Sequence, residues 1–116
     1  MKTRVLNCKV AGVSYEGRQN IIAALRGNEP CRIVPEPTNP YDPNALAVHI
    51  AVSGRVLHAG FVPKWLAAEI APHLEGETVM AEIAEITGGF EINDGEIAAY
   101  GLRVRIEIPD ETDDTV

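Results

Sequence analysis

The segment TNPYDPNA (residues 38–45) holds the side chains of this sequence that are best suited to bind a ligand. Its two prolines fix φ, and its Asn and Asp side chains can bond neighbouring backbone amides, which predicts a rigid loop. Such a loop can hold Tyr41 and Asp42 outward in one geometry. A tyrosine ring can stack on a nucleobase, at about 1–3 kcal/mol per base, whereas a carboxylate can accept a hydrogen bond from a sugar hydroxyl but repels phosphate. The pair suits a nucleoside with a free hydroxyl, although the same residues also fit a structural Asx-turn with a packed tyrosine.

Residue sets with the spacing of a catalytic or metal site are not evident elsewhere in the sequence. The histidines His49, His58 and His73 have no cysteine or further histidine at metal-ligand spacing. His49 alternates within an apolar strand pattern, which favours a histidine of the strand surface or core. Gly88-Gly89 lacks the Lys-Ser/Thr that follows in a phosphate-binding loop. We therefore expect a protein that is not an enzyme and that needs no metal and no cofactor.

Charge is distributed unevenly along the chain. The net charge is −7, yet residues 1–65 carry eight Lys/Arg against four Asp/Glu, and residues 66–116 carry two against thirteen. An anionic ligand should therefore meet the N-terminal half. Two alternatives remain for the acidic half: it keeps its face of the protein soluble, or it meets a basic protein partner or mimics DNA.

Length and composition point to one domain in the cytoplasm. The 116 residues match a single compact domain, and no apolar run approaches the ~20 residues of a membrane helix. The N-terminal residues lack the apolar core and cleavage site of a signal peptide. We expect Cys8 and Cys31 to be reduced and buried, and the acidic tail at 110–116 to be disordered.

Hydrophobic periodicity predicts short strands interrupted by two helices, near residues 18–26 and 63–74. Pro63 suits a helix N-terminus, and Pro72 should kink or end that second helix. An irregular loop is expected to open at residues 88–90. The predicted strands lie at residues 4–13, 31–37, 45–52, 55–62, 78–86 and 98–108. The pattern is that of an α+β, mainly β domain with a compact barrel or a curled sheet.

Three pieces of the sequence resemble the HIRAN family in order and spacing. They are VAGVSYEGRQ (10–19), EPTNPYDPNALAV (36–48) and AGFVPK (59–64), the last followed by Leu66-Ala67. With the later strands, the resemblance covers about residues 5–108, and it implies a HIRAN-like domain over 1–109. Relatives occur in front of SWI/SNF-type fork-remodelling ATPases and as free-standing modules. The family fold is an OB-like β-barrel with short helices.

Characterised HIRAN domains bind the 3′-hydroxyl end of single-stranded DNA, so the resemblance implies that function here. It assigns Tyr41 to the terminal nucleotide, Asp42 to its hydroxyl, Tyr15 to stacking and Lys64 to a phosphate. Phe90 corresponds, in a less certain alignment, to an aromatic residue that stacks on a base in a loop near the C-terminal end of the family's domain. We expect Tyr15, Tyr41, Asp42 and Lys64 to line one pocket.

One position departs from the pattern of the DNA-binding relatives. The arginine that precedes their first-loop tyrosine is replaced here by Ser14. Arg18, four residues further on, is the nearest substitute as a phosphate ligand.

Overall fold

The computed structural model describes residues 3–15 and 17–109, which form eight strands and two helices. In chain order these are β1 (Thr3–Lys9), α1 (Arg18–Ala23), β2 (Cys31–Pro35), β3 (Leu46–Val52), β4 (Arg55–Phe61), α2 (Lys64–Leu74), β5 (Val79–Thr87), β6 (Glu91–Asn93), β7 (Glu96–Ile97) and β8 (Gly101–Pro109). Six strands form one sheet in the order β1-β8-β5-β2-β3-β4, and β6 and β7 form a separate hairpin. All pairings in these residues are antiparallel. The prediction of a mainly β domain with two helices is confirmed.

One face of the sheet and one face of α2 enclose the core. Alternate residues of the central strands point inward, as the period of two requires. In β8 the buried residues are Leu102, Val104, Ile106 and Ile108, and the residues between them are exposed. The predicted apolar face of α2, Leu66, Ile70 and Leu74, is buried as well. Together with β2 and β3, these residues build one continuous core.

The sheet curls but does not close. Among the described residues, its two edge strands β1 and β4 share no ladder, and one isolated bridge joins Ala11 to Phe61 instead. That bridge has N–O distances of 2.7 and 2.9 Å. It depends on Gly60, whose φ is +153° and where a Cβ would collide with the Ala11 carbonyl oxygen. The expected OB-like β-barrel is therefore not confirmed.

Several element boundaries differ from those predicted. The first helix ends at Ala23 instead of residue 26, because Ala24 and Leu25 continue it only as i→i+3 turns. The second helix passes through Pro72 to Leu74, since an exposed proline two residues from the end removes a single terminal hydrogen bond. The expected irregular loop after residue 88 contains the β6–β7 hairpin.

The two cysteines are free and buried, as expected. Burial raises the pKa of Cys8 and raises the pKa of Cys31 to about 11, so both thiols are protonated at neutral pH. No helix within the described ranges is long and apolar enough to cross a membrane. The acidic tail at 110–116 lies outside the described residues.

Candidate functional site

Two adjoining cavities lie where the sheet curls, at the junction of the β1–α1 loop, the 36–45 loop and the end of β4. The first, of about 400 Å³, is lined by Tyr41, Asp42 and Lys64 among others, and we call it the Lys64 cavity. The second, of about 510 Å³, is lined by Gly12, Tyr15, Arg18, Tyr41 and Phe61, and we call it the Arg18 cavity. Tyr41 and Phe61 line both. The structure thus brings five of the six predicted site residues to two adjoining cavities. The expected single pocket is not present, because Tyr15 lines the Arg18 cavity whereas Asp42 and Lys64 line the other.

The 36–45 loop is rigid for the reason the sequence suggests. Asn39 Oδ1 accepts hydrogen bonds from the backbone N–H groups of Tyr41 at 2.8 Å and Asp42 at 3.1 Å. Asp42 Oδ1 accepts one from the Asn44 N–H at 2.9 Å. These Asx-turns hold Tyr41 outward with 91% of its surface exposed. The alternative of a packed tyrosine is wrong, whereas the Asx-turns themselves are present.

Charges of both signs line the Lys64 cavity. Lys64 is the first residue of α2, and Pro63 with φ −52° directs the chain into that helix. Within residues 3–15 and 17–109 neither Lys64 nor Asp42 takes part in an ion pair. The second carboxylate oxygen of Asp42 accepts no hydrogen bond there either. An acceptor and a cation are thus available to a ligand beside an exposed ring.

Arg18 is the one charged side chain that is buried in the part of the chain the structure describes, with 8% of its surface exposed. Its Nη1 donates to the Gly12 carbonyl at 2.8 Å, and its Cζ lies 5.9 Å from the Tyr15 ring centroid and 5.6 Å from that of Phe61. No carboxylate of the described residues forms an ion pair with it. A desolvated guanidinium held by a carbonyl and two rings can bind an anion that enters the Arg18 cavity.

His58 supports Arg18 from the neighbouring strand. Its Nδ1 lies 3.4 Å from Arg18 Nη2, and its Nε2 lies 2.9 Å from the Gly60 carbonyl oxygen, which fits a neutral ring protonated on Nε2. Burial lowers the pKa of His58, and the adjacent guanidinium lowers it further. The neutral ring accepts from Arg18 without repelling it.

Sequence reasoning missed Phe61, which lines both cavities and packs on His58 with ring centroids 4.8 Å apart. The available signal was its place in AGFVPK, beside a helix start that carries Lys64. Its role depends on the bridge to Ala11, which joins residues 50 positions apart.

Phe90 is not brought to either cavity. It lies before β6, 60% exposed, where its carbonyl accepts from the Ala98 N–H at 2.9 Å. Gln19 connects the segment before β8 to the β1–α1 loop, because it donates to the carbonyls of Val13 and Tyr100 and accepts from the Tyr100 N–H. The carbonyl bonds measure 3.1 and 3.0 Å, and the amide bond measures 2.7 Å.

The described residues contain no group of three or more His, Cys, Asp or Glu that could hold a metal ion. Of the comparisons with known proteins, the family model described as "HIRAN domain" matches residues 3–108. No curated protein and no solved structure matches the chain.

Proposed function

The chain belongs to the HIRAN family, whose domains are DNA-binding modules, and we propose that it binds the 3′-hydroxyl end of single-stranded DNA without catalysing a reaction. The observation that carries the proposal is the arrangement of the Lys64 cavity and the Arg18 cavity side by side, which together we call the paired cavity. An exposed ring, a carboxylate with a free oxygen and two cations that lack ion pairs within the described ranges meet around Tyr41 and Phe61. These are the groups that a terminal nucleotide needs.

Each group has a distinct part in the proposed complex. The terminal base stacks on Tyr41, and Tyr15 contacts the neighbouring base. The free oxygen of Asp42 accepts a hydrogen bond from the 3′-hydroxyl. Lys64 and Arg18 neutralise one or two phosphates. Arg18 takes the role of the arginine that the DNA-binding relatives have at the position of Ser14.

The charge balance favours an end over an internal stretch of DNA. Phosphate neutralisation supplies most of the non-specific affinity of DNA-binding proteins, and a chain of net charge −7 has little of it to offer. With two phosphate contacts, the salt dependence of binding should be shallow, with a logarithmic slope of about −1.4 for a single strand. Affinity must then come from stacking and from the hydroxyl.

Matched oligonucleotides with a 3′-hydroxyl or a 3′-phosphate test the proposal by fluorescence anisotropy. A 3′-phosphate would place a dianion against the Asp42 carboxylate, so we expect binding at least ~10-fold weaker, or ~1.4 kcal/mol. Asp42→Asn keeps an oxygen for the Asn44 N–H but removes the charge, and should shrink that discrimination. Asp94→Asn removes the same charge from the β6–β7 turn and should leave the discrimination unchanged.

Equal binding to the two ends would remove the end-reading mechanism. If neither the 3′-hydroxyl nor the 3′-phosphate strand binds at low salt, the second candidate function is favoured, which is an acidic module that binds a protein. The β6–β7 hairpin favours that candidate, because Ile92 and Ile97 are exposed among Glu91, Asp94 and Glu96. A protein bound there would bind Tyr41→Ala as tightly as the unaltered chain, whereas DNA would not. Repair, replication or mobile-element biology is the setting we propose for the DNA-binding activity.

A further inference from the structure

A row of side chains crosses the outer face of the sheet, beginning beside the Arg18 cavity. The strand register pairs His58 with His49, His49 with Arg32 and Arg32 with Met80, across β4, β3, β2 and β5. Residues directly opposite each other in a ladder project to the same face. With neighbouring strands about 4.8 Å apart, this cross-strand row is roughly 14 Å long.

Ring contacts connect the cross-strand row to the site already described. Phe61, which lines both cavities, packs edge-on against His58 with centroids 4.8 Å apart. His58 in turn packs against His49, with centroids 5.6 Å apart. A chain of ring contacts therefore leads from Phe61 in the Arg18 cavity through His58 to His49 on the face of the sheet.

The far part of the row borders a third cavity, of about 360 Å³. Arg32, His49, Val56 and Met80 are among its lining residues. Val56 and Met80 are 69% and 57% exposed, so this part of the outer face presents apolar surface to solvent. A flat partner with apolar faces, such as a nucleobase, would cover them.

The positive charge of Arg32 favours an anionic partner for the cross-strand row. The Arg32 side chain forms no ion pair or hydrogen bond within the described ranges. In the neighbouring part of the sheet the situation is reversed, because Arg105 on β8 pairs with Glu82 on β5 at 2.9 Å. The cross-strand row thus presents an unneutralised cation among imidazole and apolar groups, which is complementary to a phosphate between stacked bases.

We propose that the cross-strand row is a second subsite, for the internal nucleotides of the strand whose terminal nucleotide occupies the paired cavity. This inference rests on the proposed function. The strand leaves the Arg18 cavity past Phe61, its bases contact His49 and Met80, and Arg32 binds one phosphate. A length of roughly 14 Å accommodates about two to four nucleotides, depending on how far they are extended.

The test measures affinity against oligonucleotide length, using 3′-hydroxyl strands of two, four, six and eight nucleotides. The unaltered chain should gain about 10-fold in affinity between two nucleotides and six, and then level off. Arg32→Ala should remove about 5-fold from the affinity for six nucleotides and leave the affinity for two unchanged. Arg26→Ala, which removes the same charge from the α1–β2 connection, should change neither.

Chemical shifts provide an independent readout in the unaltered chain. The methyl resonance of Met80 should move on addition of the six-nucleotide strand and stay in place with the two-nucleotide strand. If a dinucleotide binds but added length brings no affinity and no shift at Met80, the second subsite is overturned and the end-binding function stands. If no strand of any length binds, the proposed function fails, and the subsite fails with it. A Met80 shift on binding of a protein segment but not of DNA also overturns the subsite.

Discussion

The 36–45 loop and the β6–β7 hairpin both present an aromatic ring to solvent, but they do so on very different supports. Tyr41 projects from a loop fixed by Asn39 and Asp42 and stands beside two cavities that contain Arg18 and Lys64. Phe90 precedes a hairpin whose residues 91–97 are all exposed and include three acids. One ring has an ordered, cationic setting, and the other has an acidic one.

This contrast shows that exposure of an aromatic residue does not by itself identify a nucleic-acid contact. A base that stacks on a ring carries its phosphate along, so the neighbouring charges decide whether binding is favourable. The loop is rigid and lies beside Lys64 and Arg18, whereas the hairpin offers a phosphate only acidic neighbours. Four experiments can break or sharpen the comparison.

The largest effect is expected at the glycine that allows the two cavities to form. In Gly60→Ala the new Cβ would meet the Ala11 carbonyl and the Val10 side chain, so the bridge to Phe61 must open. We expect a loss of roughly 3 kcal/mol in the free energy of unfolding, measured by urea denaturation.

Gly95→Ala in the hairpin is the matched control. Its φ is +76°, but nothing lies within 4 Å of the added Cβ, so only backbone strain of about 1 kcal/mol is expected. Equal losses for the two variants would mean that the close approach at Gly60 has no special role.

Removal of each ring compares the two regions in binding. Tyr41→Ala should weaken binding of a 3′-hydroxyl strand by about 1–3 kcal/mol, because the terminal base loses its stacking partner. Phe90→Ala should change the affinity less than about 2-fold, since Phe90 lines neither cavity. Anisotropy titrations decide it, and a larger loss for Phe90→Ala would restore that residue to the binding site.

Removing the Asn39 side chain, whose Oδ1 accepts two hydrogen bonds in the 36–45 loop, should have a smaller effect on stability. Asn39→Ala leaves the N–H groups of Tyr41 and Asp42 without their acceptor, which should cost about 1 kcal/mol of stability and loosen the ring. Asn93→Ala removes one exposed contact to Glu96 in the hairpin, and we expect less than about 0.5 kcal/mol. Thermal unfolding compares them, and unchanged stability in Asn39→Ala would contradict the rigid-loop account.

The smallest effect concerns the pH dependence of stability that His58 produces beside the Arg18 cavity. His58 faces Arg18, His49 and Phe61, with Glu36 nearby, and burial lowers its pKa below the ordinary value of about 6.5. The folded chain therefore binds fewer protons at this ring than the unfolded chain does. The contribution to stability is complete above about pH 6.5 and is lost as the pH falls toward the lowered pKa.

His58→Gln should flatten this dependence, because glutamine can accept from Arg18 and donate to the Gly60 carbonyl without titrating. His73→Gln, on α2, is the control for a histidine outside the cavities. Urea denaturation between pH 7.5 and 5 measures the free energy of unfolding of both variants. If that free energy depends on pH as steeply in His58→Gln as in the unaltered chain, His58 is not the group responsible.

The sequence by itself determined the local features of this protein. The alternation of apolar and polar residues predicted the strands and the residues that each strand buries, as in β8. The spacing of Leu66, Ile70 and Leu74 predicted the apolar face of α2. Proline, asparagine and aspartate in TNPYDPNA determined a rigid loop, because each of these effects acts within a few residues. The outward position of Tyr41 was one of two alternatives that the sequence left open. The family resemblance supplied four side chains that the structure brings together with Arg18, namely Tyr15, Tyr41, Asp42 and Lys64.

Only the tertiary structure decided what depends on contacts between distant segments. The approach of Ala11 to Phe61 makes one ring a wall of both cavities, and the register of four strands aligns His58, His49, Arg32 and Met80. Whether the sheet closed, and whether Phe90 reached the site, followed from the same long-range geometry. Strand order and register are set by the packing of the whole core, so no local pattern specifies which exposed residues become neighbours.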